Sequence, residues 1–161
     1  RKVIKFTKCD AIKLEGGKKI VKIIRYLTKR GIPVMGHVGL LPQTSTNFKT
    51  KGKNFVEKKQ IFEDAMAVSN SGAFAIVIEC VPENLAKKIT KNVSIPTIGI
   101  GASMHCDGQI LVTDDMIGLS DFFPKFVKKY SNLKKIIEKS VKKYAKDVKL
   151  GKFPSFKNVY R

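Results

Sequence analysis

The sequence has no apolar run long enough to span a bilayer and none shaped like a signal-peptide core, so a soluble, cytoplasmic protein is expected. Cysteine is scarce. Cys9, Cys80 and Cys106 are odd in number and far apart, which excludes a disulfide framework and a Cys-x-x-Cys metal knuckle and predicts reduced thiols. Acidic residues are also few, 13 against 32 Lys and Arg, giving a net charge of +19. Such an excess suggests a nucleic-acid or anionic partner. Yet arginine, the side chain best suited to phosphate and guanine, occurs only at Arg1, Arg25, Arg30 and Arg161. The lysines crowd into 18–30, 49–59 and 125–152 and leave the apolar runs almost uncharged, as solvated outer faces do. No specific nucleic acid and no membrane are therefore expected as partners.

At 161 residues the chain is one domain's worth, and residues 1–161 are read as a single domain. Short apolar runs alternate with helical periodicities. Strands are predicted at 11–15, 32–35, 73–82, 94–101 and 109–112. Helices are predicted at 18–29, 55–71, 82–91 and 124–150, with a loop at 44–53 and a surface tail from Gly151. This order calls for an α/β fold, a parallel sheet covered by helices. Five strands are too few to close an eight-stranded barrel, which leaves an open sheet or a part of something larger.

The stretch Gly31 to Gln43 organises the rest. Ile32 to Met35 is an apolar run entered through Pro33 and broken at Gly36, so His37 is placed at a strand's end, flanked by Gly36 and Gly39. It reads as an active-site residue or as a satisfied core histidine. In the strand 11–15, alternation puts Lys13 and Glu15 on one face. They read as a surface ion pair or as a cation and a metal-binding carboxylate at a mouth. Glu79 closes an otherwise continuous apolar run, where a carboxylate is costly unless it is paired or opens onto a cavity, an environment that suits a general base. Gly99 to Ser103 is a glycine-rich turn without the continuation of a dinucleotide fingerprint, so it allows at most close backbone approach to a ligand. Asp114-Asp115 reads as a turn or helix cap before a metal site.

Six segments in series carry a resemblance: Ile12-Lys13-Leu14-Glu15-Gly16-Gly17, Ile32 through Gln43, Ile76 through Pro82, Ile95 through Ala102, Asp107 through Val112, and Pro124 through Val127. In order and spacing they are similar to ketopantoate hydroxymethyltransferases. The resemblance implies a (β/α)8 TIM-type barrel, of which this chain would supply roughly strands 4 to 8 and the C-terminal helices. It implies transfer of a hydroxymethyl group from 5,10-methylenetetrahydrofolate to 3-methyl-2-oxobutanoate, giving 2-dehydropantoate for pantothenate synthesis, with Mg²⁺ in the site and a homo-oligomeric assembly. By matching positions, Glu15 would be a Mg²⁺ ligand, Lys13 and His37 substrate contacts, and Glu79 the base. The glycine-rich turn departs from the family's pattern at Ser103, mildly if its backbone angles are ordinary. The resemblance also begins partway into the family's sequence, so other metal ligands are expected upstream and this chain alone is not expected to be a competent enzyme. Two other readings stand beside it: a basic nucleic-acid or anion-binding module, and an inactive fragment retained for oligomer contacts.

Overall fold

The computed structural model describes residues 2–46 and 49–160; Asn47 and Phe48 of the expected 44–53 loop lie outside the described residues. The chain divides into two compact units, one ending at Ile110 and the other beginning at Leu111.

The first unit opens with a short helix, α1 (Lys2–Thr7), ahead of the alternating pattern. Five strands follow, β1 (Ile12–Glu15), β2 (Val34–Gly39), β3 (Ala75–Glu79), β4 (Thr97–Ile100) and β5 (Gly108–Gln109), all parallel and adjacent in sequence order. Glu15 pairs with His37, His37 with Val77, Gly39 with Glu79, and Glu79 with Ile100. The connections are α2 (Val21–Thr28), α3 (Phe55–Ser69) and α4 (Glu83–Asn92). Side chains alternate across the sheet. Val34, Val38, Ile76 and Ile78 of one face pack into a core with Ile24 of α2, Ile61, Ala65 and Val68 of α3, and Leu85, Ala86 and Ile89 of α4. The expected α/β fold is present.

Helix starts follow local chemistry. The Asn54 side chain accepts the Glu57 backbone N–H at 2.8 Å, and Glu57 reaches back to the N–H of Gly52 at 2.9 Å, so the residues before α3 are tied to its first turn. After β1, Asp64 of α3 accepts the Lys18 N–H at 2.7 Å at the start of a 3-10 turn. That approach needs Gly17, because a Cβ there would stand 1.9 Å from the Asp64 carboxyl carbon.

Three boundaries differ from expectation. β2 does not break at Gly36 but runs through it to Gly39, so His37 lies inside the strand. The missing side chain serves packing instead: a Cβ on Gly36 would come within 2.3 Å of Val68 Cγ1. β5 is only two residues long, and Ile110 and Val112, apolar in sequence, are about half exposed. In the second unit, residues 124–132 are not helical. The long helix α6 (Leu133–Lys149) starts where the Asn132 side chain accepts the Lys135 N–H. Before it, α5 (Thr113–Ile117) carries Asp114 and Asp115 inside its first turn, where carboxylates suit the helix dipole, but its N-cap is Val112 without a side-chain cap bond, so neither makes the expected cap; the helix ends at Gly118 in the left-handed region. Among the described residues no helix is long and apolar enough to cross a membrane.

Candidate active site

The sheet has a second face, opposite the helix-packed core. The register sets Lys13 and Glu15 of β1, Met35 and His37 of β2, Val77 and Glu79 of β3, and Ile98 and Ile100 of β4 along it. The polar members gather toward the C-terminal ends of β1, β2 and β3, where open α/β sheets place ligands. All four residues singled out in the sequence are therefore neighbours.

His37 stands at the centre. Its side chain is 1% exposed, with Nε2 3.2 Å from Glu79 Oε2 and Nδ1 3.5 Å from Lys13 Nζ. Glu15 lies further off, its Oε1 3.8 Å from Nδ1. Nε2 makes no hydrogen bond despite the short separation, because its N–H is not aligned with the Glu79 carboxylate. The Glu15 side chain is itself largely enclosed, and its other oxygen accepts the backbone N–H of Gln43 at 3.0 Å. Two carboxylates, an imidazole and an ammonium thus converge from three adjacent strands. Such a group can bind a small anionic substrate, move a proton, and offer a carboxylate oxygen to a hard cation.

The backbone around Glu79 is pinned. Leu40 N–H donates to the Glu79 carbonyl at 2.9 Å, and Gly39 permits this approach, since a Cβ on it would lie 2.2 Å from that oxygen. Cys80 follows with φ +50°, the left-handed region that a side-chain-bearing residue occupies only under constraint. Its N–H donates to Ile100 O and its carbonyl accepts the Lys51 N–H, both at 2.9 Å. Burial and the neighbouring Glu79 charge push the Cys80 thiol up to about 11.

The glycine-rich turn has a structural explanation. A Cβ on Gly99 would meet Gln109 Oε1 at 2.9 Å and Cys106 Sγ at 3.1 Å, so what comes close there is the chain's own side chains. Ser103 is buried, donates to Glu83 at 3.2 Å and accepts the His105 N–H at 3.1 Å, while Gln109 donates to its carbonyl. Among the described non-glycine residues only Lys8 and Cys80 have positive φ, so Ser103 occupies an ordinary conformation. Nearby, Asp107 accepts both the N–H and the hydroxyl of Thr97, and these bonds hold its carboxyl below its ordinary value.

A family model described as ketopantoate hydroxymethyltransferase matches residues 1–156. The chain belongs to the ketopantoate hydroxymethyltransferase family. Proteins named 3-methyl-2-oxobutanoate hydroxymethyltransferase from Pelagibacter ubique (strain HTCC1062), Phenylobacterium zucineum (strain HLK1) and Bartonella quintana (strain Toulouse) are 58%, 51% and 51% identical to it, each across 99% of this chain. The chain spans 62% of the length of the first and 59% of the other two.

Within this chain, sequence reasoning found the four polar side chains and missed their supports. The Gln43 main chain and the left-handed Cys80 act through backbone, and backbone geometry at a cysteine leaves no mark in residue type. Gln43 had a weak signal, since it closes the stretch around His37 just after Pro42.

Proposed function

We propose that the protein bearing this chain transfers a hydroxymethyl group from 5,10-methylenetetrahydrofolate to 3-methyl-2-oxobutanoate, yielding 2-dehydropantoate for pantothenate synthesis. The observation that carries this reading is the convergence of Lys13, Glu15, His37 and Glu79 on one sheet face at the strand ends. Five parallel strands in sequence order accord with strands 4 to 8 of a (β/α)8 barrel, whose active sites sit at this end of the strands. The reading extends to a cytoplasmic homo-oligomer.

Lys13 supplies a cation for the carboxylate of the 2-oxo acid. Glu79 removes the proton from C3: its carboxylate forms the O–H bond as the C–H bond breaks, and the electron pair passes into the enolate. Water adds to the one-carbon unit of the folate as its two C–N bonds break, which frees tetrahydrofolate and leaves that carbon as formaldehyde; the enolate carbon forms the C–C bond to it, and the resulting alkoxide takes up the proton held by Glu79.

The donor chemistry fits Mg²⁺ as a partial ligand set. Glu15 has one oxygen bonded to Gln43 N–H, while the other stands beyond hydrogen-bond distance from His37. Mg²⁺ is commonly bound through one or two carboxylates and completes its octahedron with water and substrate oxygens. Among the described residues no three His, Cys, Asp or Glu gather as a metal cluster, so Glu15 is the ligand assigned to this chain. When bound, Mg²⁺ would polarise the 2-oxo acid and stabilise its enolate.

The test is exchange of the C3 proton of 3-methyl-2-oxobutanoate in D₂O, followed in the full-length protein with Mg²⁺. Glu79→Gln is expected to slow exchange by about 100-fold to 10,000-fold, the usual contribution of a positioned base. Exchange at the unmodified rate would sink the assignment of Glu79.

A further inference from the structure

We infer that His37 is a positioning residue for Glu79, donating from Nε2 to one oxygen of that carboxylate so that the other faces the substrate's C3. This rests on the reading of Glu79 as the base, and it gives His37 a role through Glu79 in place of the substrate contact that the resemblance implies.

Three observations lead there. First, a ring that is 1% exposed presents almost no surface to a substrate, so its polar atoms work on protein groups. Second, the surroundings choose the tautomer. The nearest polar group to Nδ1 is the Lys13 ammonium at 3.5 Å, which can only donate, while the Glu15 oxygen is too distant at 3.8 Å. Nδ1 is therefore the acceptor and the ring proton sits on Nε2. Third, that Nε2–H is buried and lacks a hydrogen bond, with the Glu79 oxygen 3.2 Å away and only misaligned. Buried donors are almost always satisfied, and catalytic hydrogen bonds are often misaligned before substrate arrives. A small movement of the Glu79 carboxylate toward the Nε2–H is the change the proposal requires.

The backbone of Glu79 needs no such help. Its carbonyl is held by Leu40, and the following residue is held by Ile100 and Lys51. What stays free is a side chain with several rotatable bonds at the rim of the site, and the bond from His37 restrains it. Misplacing a reacting group by an ångström costs about 100-fold in rate.

The test uses the full-length protein, Mg²⁺ and 3-methyl-2-oxobutanoate, with kcat and KM for C3 proton exchange measured in His37→Gln, His37→Asn and Glu79→Gln. A glutamine amide nitrogen falls close to imidazole Nε2, whereas an asparagine amide falls close to Nδ1. His37→Asn is expected to lower kcat by about 10-fold to 100-fold with KM nearly unchanged, and His37→Gln to restore most of the rate. Rescue by asparagine in place of glutamine, equal loss in both variants, or a raised KM at unchanged kcat would each overturn the proposal. An unaffected Glu79→Gln variant would instead remove the base reading itself, whatever the His37 variants do. Should the variants fold poorly, ¹⁵N shifts of the His37 ring in the unmodified protein decide the matter: a protonated Nε2 with a bare Nδ1 supports the proposal, and the reverse tautomer overturns it.

Discussion

At the scale of single residues, Cys80 records the electrostatics beside Glu79. Its thiol is half-buried next to a carboxylate, and both effects oppose the thiolate, raising the group from 9.0 to about 11. At pH 8 the thiolate fraction is then roughly 100-fold below that of an unperturbed thiol, and alkylation by iodoacetamide is expected to be slower by about that factor. Glu79→Gln, which removes the charge but leaves the burial, is expected to speed alkylation several-fold while keeping Cys80 slower than a free thiol. Mass-spectrometric labelling at a series of pH values checks both; labelling of Cys80 at a free thiol's rate would contradict the buried geometry. The sign for stability follows. The folded form keeps its proton while the unfolded chain loses it above about pH 9, so this contribution is whole below that pH and is lost as pH rises toward 11.

At the scale of elements, the contact of β2 with α3 rests on Gly36. An alanine Cβ there would stand 2.3 Å from Val68 Cγ1 and 3.6 Å from Ile76, in a core with no slack. Gly36→Ala is expected to destabilise the fold by about 1–3 kcal/mol, and adding Val68→Ala to recover part of that loss, as read by chemical denaturation. A Gly36→Ala protein as stable as the parent would mean that helix and strand do not meet so closely. The same residue shows what the sequence can and cannot convey. A glycine inside an apolar run reads as the end of a strand, because pattern alone does not separate a turn from a spot where a helix leans on the sheet. The alternation of strands and helices was legible, being written in side-chain periodicity. The start of α6 was not. The apolar and basic pattern runs unbroken through residues 124–150, and the boundary is set by one capping side chain, Asn132. Glu79 was legible for the opposite reason: a charge closing an apolar run has few structural excuses.

At the scale of the whole molecule, charge and exposed apolar surface pull in opposite directions. Among the described residues, the sheet order places β1 and β5 at the two edges of the sheet. In the second unit no residue of α6 is buried, and Ile136, Val141 and Tyr144 are 56%, 59% and 57% exposed. Parallel sheet edges and an apolar stripe of this kind are surfaces that other chain normally covers. Against them stands a net charge of +19, which repels copies of the chain from one another. Screening decides between the two, since the Debye length shrinks from about 30 Å at 0.01 M salt to about 3 Å at 1 M. The 161-residue chain by itself is therefore expected to stay dispersed in dilute buffer and to associate progressively as salt rises. Sedimentation velocity across that range, with a dye that reports exposed apolar surface, measures the balance. A monomer that unfolds cooperatively and remains dispersed at 1 M salt would show that the edges and the α6 stripe are not adhesive. Full-length relatives should lack the salt-driven association if it arises from surface that their additional length covers, and the comparison of the two preparations isolates that surface from the effect of charge alone.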